Sequence, residues 1–476
     1  MSHIFHSSII RAYDIRGLYQ KTLFDKDAFF VGKAFATVLA KDNKKKVAVA
    51  CDGRKSSPAL KQELIKGLLE SGIDVVDVGV GPTPMLYFSV YHLNCDAGIM
   101  VTGSHNPKDH NGFKMMLKDR PFFGDDIINL GEVASQGKFA SGEGLLSSQV
   151  VVNSYVDRIL DDCTLAESES GLLDEVEQFK PKKKLKIAWD AGNGSAGDVM
   201  VDLSKRIAAE NILLFADIDG DFPNHHPDPT VAKNLQDLIA TVVNNSCDIG
   251  IAFDGDGDRI GVVDNEGEII WGDQLMVFYA RDILAKKPGA TVIADVKASN
   301  VLFDEVRRAG GKAVMWKTGH SFIKAKMKET KAALAGEMSG HIFFADEYYG
   351  FDDALYAAIR IINILSNSDL SLSDLRKGLT KTFPTPEIRV ECLDERKFAI
   401  VDELKENLKK AQITFDDVDG IRVSNDDGWW LIRPSNTQPV LVARAESNSE
   451  AGLQELKTNL KKHLEFCQVT IPQELA

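Results

Sequence analysis

A chain of 476 residues is too long for one hydrophobic core, and it predicts three or four domains of roughly 100–200 residues each. Its 56 Lys and Arg against 70 Asp and Glu leave a net charge of −14. That balance argues against broad binding to nucleic acid or to an anionic membrane, but not against small anions met by a few local cations.

Hydrophobic content of 44% with 26% charged residues is ordinary for a globular protein. The six cysteines form no Cys-x-x-Cys pair and read as reduced thiols. Met1-Ser-His-Ile-Phe-His6 lacks a signal-peptide pattern, and no apolar run reaches the roughly 18 residues of a membrane span. A cytoplasmic home is expected.

In chain order, Arg11-Ala-Tyr13-Asp-Ile-Arg16-Gly17 precedes a helical pattern around Phe29–Leu39 and an apolar strand, Lys46–Asp52, that runs into Gly53-Arg54. Ser57 and Pro58 read as N-cap and first residue of a helix to about Leu69, with Gly72 as its stop. After a strand at Val75–Val80, a second apolar run, Gly98–Val101, empties into Thr102-Gly103-Ser104-His105-Asn106-Pro107.

The same grammar returns twice. Leu185–Asp190 leads into Ala191-Gly-Asn-Gly-Ser195, and downstream Asp248–Asp254 opens into Gly255-Asp256-Gly257-Asp258-Arg259. Thr291–Asp295 is followed by Ser299 capping a helix, and downstream Ala333–Gly336 opens into Glu337-Met338-Ser339-Gly340-His341. Strands alternating with helices imply βαβ units, and loops at the carboxyl ends of parallel strands are where such folds bind ligands. Beyond a stiff linker, Thr382–Pro386, come a strand at Ile388–Glu391, a charged helix at Asp394–Ala411, two strands meeting at Asp426-Asp427-Gly428, and a helix at Glu450–Phe466. The expected architecture is three similar α/β domains with mixed or parallel sheets (1–150, 151–266, 267–378) and a smaller α+β domain (379–476), all around one central cleft.

Asp254-Gly-Asp256-Gly-Asp258 is the strongest chemical signal. Three alternate carboxylates repel one another unless a cation joins them, and Mg2+ takes oxygen ligands while keeping positions open for phosphate. An EF-hand would need Gly and an acid where Arg259 and Asn265 stand, and the loop of a haloacid-dehalogenase phosphatase fits poorly too. Arg433-Pro-Ser435-Asn436-Thr437, with Arg444 on the next strand, collects a guanidinium fork, hydroxyls and an amide suited to phosphate. Glu337 and Ser339 suit vicinal sugar hydroxyls, while Lys297, Lys317, His320 and His341 are candidates for the same cleft. A serine becomes a phosphoryl carrier when a metal lies beside it, which puts Ser104 at the chemistry, with Lys114 as a neighbouring acid/base candidate. His105 is expected to face the substrate, because neighbouring side chains in an extended loop point apart.

Four ordered motifs, Thr102–Pro107, Asp254–Arg259, Gly336–His341 and Arg433–Thr437, together with the opening Arg11–Gly17, resemble the α-D-phosphohexomutase superfamily in its phosphomannomutase/phosphoglucomutase branch. The resemblance implies a phosphorylated Ser104 at rest and Mg2+ on Asp254, Asp256, Asp258 and an oxygen of that phosphoserine. It implies interconversion of hexose 1- and 6-phosphates through a hexose 1,6-bisphosphate, which also acts as activator. Tyr13, Arg16, His105, Lys114, Arg259, Lys297 and His320 carry over as active-site residues, with Lys114 and His105 the acid/base candidates. Met338 looks like the mannose/glucose branch, where the glucosamine branch shows Gln. A glucosamine-type mutase, a metal-dependent sugar-phosphate phosphatase and a binding protein without turnover are the alternatives. Sugar phosphates are the expected partners, in a monomer or dimer.

Overall fold

The computed structural model describes residues 1–166, 182–393, 395–436 and 438–475, and among these four β-sheets follow one another along the chain. The first places its strands in the order Ile15–Leu18, His110–Leu117, Ala97–Val101, Lys46–Cys51, Asp74–Val80, Leu146–Ser148. The second runs Ile269–Ile270, Ile260–Asp264, Ile249–Phe253, Lys186–Asp190, Glu210–Leu214, and the third Lys312–Trp316, Thr291–Asp295, Leu334–Gly336, Ile342–Phe344.

Each of these sheets has a parallel body, and its central strands, such as Lys46–Cys51 and Ile249–Phe253, are apolar and buried because helices cover both faces. Each also contains a hairpin that reverses direction at its motif loop. Ala97–Val101 returns antiparallel as His110–Leu117, Ile249–Phe253 as Ile260–Asp264, and Leu334–Gly336 as Ile342–Phe344. All three motif loops are therefore hairpin tips, and of the mixed or parallel sheets expected, all three are mixed.

The fourth sheet is antiparallel: Ile388–Glu391 and Phe383–Pro384 both pair with Val440–Ser447, which pairs with Gly428–Pro434 and that with Ile421–Asn425. Within the expected stiff linker Thr382–Pro386, Phe383–Pro384 is thus an edge strand of the last domain, a position where Pro384 is tolerated because no ladder donor is needed there.

Packing divides the molecule unevenly. One core runs without interruption from Met85 and Leu86 through Trp189 and Phe253 to Tyr279 and Leu355, so the first three domains share it. At its centre lies the helix Ala354–Ser366, apolar nearly all round and buried nearly throughout, as a helix surrounded by protein must be. The fourth domain has a separate core of Ile388, Ile400, Leu404, Trp430, Leu441 and Leu460. It meets the third domain through the small cluster Val296, Trp429 and Leu431.

Candidate active site

The Ser104 hairpin is held by a strand end. Asp52, at the mouth of the neighbouring strand, accepts from Thr102 Oγ1 at 2.7 Å and from the Gly103 amide at 3.1 Å. It also takes Ser57 Oγ at 2.5 Å, so Ser57 is drawn away from capping. The helix Ser57–Leu69 starts one residue earlier than the sequence suggests, with Ser56 at its N-cap. Thr102 Oγ1 in turn accepts the Ser104 amide at 2.8 Å.

Ser104 is buried and has φ +51°, a left-handed backbone that a non-glycine residue adopts only when its surroundings enforce it. That φ has a consequence for its neighbour. The backbone is not extended at Ser104, so His105 does not point away: its Nδ1 lies 3.2 Å from Ser104 Oγ. Burial, then Arg259, Arg16 and Lys114, push the His105 imidazolium well below its ordinary range, so the ring is a neutral base at Ser104.

The metal-type loop completes this end of the cleft. Asp254, Asp256 and Asp258 are all fully buried, and one oxygen of each lies within 4.8 Å of the others. Asp254 Oδ1 ties its own loop by accepting the amides of Asp258 and Arg259 at 3.0 and 3.1 Å, while Oδ2 accepts from Ser104 Oγ at 3.3 Å. Thr83, at the start of the helix Thr83–His92, donates its amide to the Asp256 carbonyl and its hydroxyl to the Asp256 carboxylate.

The Lys114 ammonium sits between Asp256 Oδ2, at 2.6 Å, and Asp258 Oδ2. Burial would lower the Lys114 pKa, but Asp256 and Asp258 outweigh it and hold it above its ordinary value, so the side chain keeps its proton. Burial and the Asp258 and Asp256 charges push Asp254 far up. For Asp256 burial acts upward too, but Lys114 prevails and the net direction is down. Asp256 Oδ1 and Asp258 Oδ1 are buried with no hydrogen-bond partner. Three converging carboxylates, two unsatisfied oxygens and a lysine ammonium already drawn in describe a cradle for a hard divalent cation, and the donor set fits Mg2+.

The third loop meets the second directly. Gly340, at φ +89°, lets its backbone approach that of Ile260, where a Cβ would collide with the Ile260 carbonyl. His341 Nε2 accepts from Arg259 Nε at 3.0 Å, and its Nδ1 lies 3.1 Å from Asp352 Oδ2, in ion-pair range but out of line for a hydrogen bond. The His320 ring stacks on that of His341, with centroids 5.6 Å apart.

Glu337 is buried, accepting from the Gly319 amide and, at 3.3 Å, from Ser339 Oγ. Lys297 Nζ lies 3.1 Å from Glu387 Oε2, and that ammonium holds the Glu387 carboxyl down at about 2.

Across the cleft, Arg433 Nε is held by Asp419 at 2.8 Å while its Nη2 is buried without a partner among the described residues. Ser435 is buried nearby, and Asn436 Nδ2 donates to the Tyr13 hydroxyl, which donates to the Thr318 carbonyl at 3.1 Å. Thr437 lies outside the described residues. Arg16 reaches Asp14 at 2.5 Å. Arg444 turns toward the third domain, onto the Lys297 carbonyl and the Met338 sulfur.

Asp52 and Arg54 stand at a strand end with no role legible in the sequence, and Thr83 and Asp352 carry no local signal at all. The three strand-ending aspartates carried the available signal. Asp52 binds the Thr102–Gly103 turn, and Asp295 accepts the Met338 amide at 3.3 Å. Asp190 pairs with His225, two residues before the Pro227 carbonyl that receives the Gly255 amide.

Four hairpin-borne loops around one cleft, with a serine touching a three-aspartate cradle and an arginine clamp opposite, define a phosphoryl-transfer enzyme that takes an already phosphorylated small molecule. The family comparison agrees. The chain matches the phosphoglucomutase/phosphomannomutase family in all four of its parts: alpha/beta/alpha domain I over residues 7–130, domain II over 170–267, domain III over 271–383 and the C-terminal domain over 387–463. It belongs to that family.

Among its relatives are a phosphomannomutase/phosphoglucomutase of Pseudomonas putida, 43% identical over 96% of this chain and 95% of the relative, and a phosphoglucomutase of Neisseria meningitidis, 42% identical over 96% of both. A solved phosphoglucomutase/phosphomannomutase family protein of Burkholderia thailandensis superposes with a TM-score of 0.89 at 41% identity, covering 98% of each chain.

Proposed function

We propose that this protein is a Mg2+-dependent hexose-phosphate mutase, acting on mannose and glucose phosphates, in which Ser104 carries the phosphoryl group. The observation that supports it most is the approach of Ser104 Oγ to Asp254 inside a buried three-aspartate loop, opposite an arginine whose Nη2 is buried with no partner among the described residues.

Asp254, Asp256, Asp258 and a phosphoserine oxygen would hold Mg2+, which supplies electrostatic stabilisation of the transferring phosphoryl group. The Ser104 Oγ–P bond breaks as the free hydroxyl of a hexose monophosphate bonds to that phosphorus. The resulting hexose 1,6-bisphosphate turns over in the cleft, and its other phosphate returns to Ser104. Arg433, Ser435 and Asn436 hold whichever phosphate is distal, while Glu337 and Ser339 orient sugar hydroxyls and Lys297 adds positive charge.

In the first transfer the attacking sugar hydroxyl sheds a proton and the departing Ser104 oxygen takes one up; His105, neutral between steps with Nδ1 at Ser104 Oγ, relays that proton, and the second transfer runs the relay in reverse. Lys114 keeps its proton and serves as a fixed charge. That leaves His105 as the acid/base group at the serine, of the two candidates read from the sequence. Added hexose 1,6-bisphosphate phosphorylates any free Ser104 and thereby activates the enzyme.

The test pairs a coupled assay of mannose 1-phosphate and glucose 1-phosphate conversion with mass measurement of the Ser104 peptide. Mutase turnover with one added phosphate at Ser104 supports the proposal. Free phosphate as the main product would sink it.

A further inference from the structure

Arg54 lies outside the four motif loops, yet it organises the one on which the chemistry depends. Its side chain is fully buried, and all five guanidinium N–H groups are used on one short stretch of chain and one carboxylate. Nε donates to Asp52 Oδ2 at 3.1 Å. Nη1 donates to the carbonyls of Pro107 and His110 at 2.6 and 3.2 Å, and Nη2 to those of Ser104 and Asn106 at 2.6 and 2.7 Å. Gly103 is required beside it, because a Cβ there would strike the guanidinium.

Ser104 is thereby pinned at both ends of its strained backbone, its amide on Thr102 Oγ1 and its carbonyl on Arg54. The second domain covers the assembly from outside. The Phe222 ring lies 5.1 Å from the guanidinium carbon, and Asp221 pairs with both Lys55 and Lys108.

We infer that Arg54 is a positioning residue for the phosphoryl relay, a planar template that holds Ser104 Oγ in one place for both transfers of each catalytic cycle. The inference rests on the mutase reading above. A cycle in which the bisphosphate must return a phosphate to the serine that began it demands the same Oγ position twice. A carbonyl-binding fork that reaches four residues of one loop supplies that constancy, and a lysine, with one charge centre and no fork, cannot. If Arg54 served only to neutralise Asp52, lysine would replace it.

Arg54→Lys keeps the charge and the Asp52 partner. Its kcat should fall by about 100-fold with KM for mannose 1-phosphate little changed, the scale expected for a reacting group displaced by about an ångström. A displaced serine also recaptures phosphate poorly, so more bisphosphate should escape per turnover, and the variant should need more added glucose 1,6-bisphosphate for half-maximal rate. Phe222→Ala, which leaves Arg54 in place but uncovers it, should shift both readouts in the same direction by roughly 3- to 10-fold, and it decides the matter if the lysine variant does not fold.

Wild-type kcat and an unchanged bisphosphate requirement in a folded Arg54→Lys protein would overturn the inference, as would a normal Phe222→Ala if Arg54→Lys is unfolded. Failure of the wild type itself to interconvert the two monophosphates would instead overturn the mutase reading.

Discussion

The metal-type loop and the arginine clamp of the last domain both face the cleft, but they are built differently. Asp254–Arg259 is tied from several sides: by its own Asp254 side chain, by Thr83 of the first domain, by the Ser195 amide on the Gly255 carbonyl, and by the amide of Ala354 on the Gly257 carbonyl. Its three carboxylates are fully buried, and the loop is flanked by Phe253 and Ile260 of the core shared by three domains.

Arg433–Asn436 belongs to a domain with its own core and a small apolar contact to the rest. Among the described residues the loop reaches the first domain through the Asn436–Tyr13 hydrogen bond, while Glu387, Arg422 and Arg444 tie its domain to the third. A domain with its own core and little shared apolar area is the part of a molecule that can move. On the proposed mutase reading the difference suggests how the work is divided: the reacting end is tied from several sides and charged in advance, and the recognition end is the one expected to release and re-engage a substrate that must reverse.

Changes at the rigid end should therefore cost the most. Ser104→Ala removes the phosphoryl carrier and should lower kcat by about 10^4-fold or more, measured with saturating hexose 1,6-bisphosphate. Asp254→Asn should cost roughly 10^3-fold and abolish any rise of Tm on adding Mg2+, since a cation that binds the native state alone stabilises it by mass action. Chelation of the wild type should remove activity reversibly, and an Asp254→Asn protein as active and as Mg2+-responsive as wild type would break the comparison.

At the recognition end the effect should move from kcat to KM. Arg433→Lys loses bidentate phosphate binding, and KM for glucose 1-phosphate should rise about 10- to 100-fold with kcat changed far less. Tyr13→Phe removes the bridge from Asn436 to the Thr318 carbonyl. A change of about 1 kcal/mol, several-fold in KM, is expected, together with a larger radius of gyration in solution scattering if the last domain swings more freely.

The smallest expected effect lies behind the metal loop. The ring nitrogens of His225 face Asp190 Oδ2 at 2.9 Å and the His226 carbonyl at 3.0 Å. Burial alone would lower this pKa, but the Asp190 hydrogen bond and charge outweigh it, and the folded value is raised. The pair therefore adds stability that is fully present below the unfolded histidine value of about 6.5 and is lost as pH rises through the higher folded value. Tm should fall modestly over that window in the wild type and lose this component in His225→Asn.

What was legible in the sequence and what was not follows from chain distance. Ser104, the three aspartates, Glu337 and Arg433 each lie in a contiguous run whose residue types name their chemistry. Arg54 and Thr83 act on partners 50 and 173 residues away, and nothing local distinguishes them. Lys114 is legible by its nearness to Ser104 along the chain, but its charged, doubly paired state depends on Asp256 and Asp258, more than 140 residues downstream. His105, an acid/base candidate by resemblance, is not expected from an extended loop to turn toward Ser104; the left-handed φ at Ser104 turns it there, and that angle is not readable from the local sequence.

The phosphoryl relay at Ser104 can be tested in a single turnover. Enzyme first phosphorylated with unlabelled glucose 1,6-bisphosphate is mixed with a stoichiometric amount of glucose 1-phosphate labelled in its phosphate. A relay through Ser104 yields unlabelled glucose 6-phosphate and leaves the label on Ser104. Label retained on the glucose 6-phosphate, or released as inorganic phosphate, would contradict it.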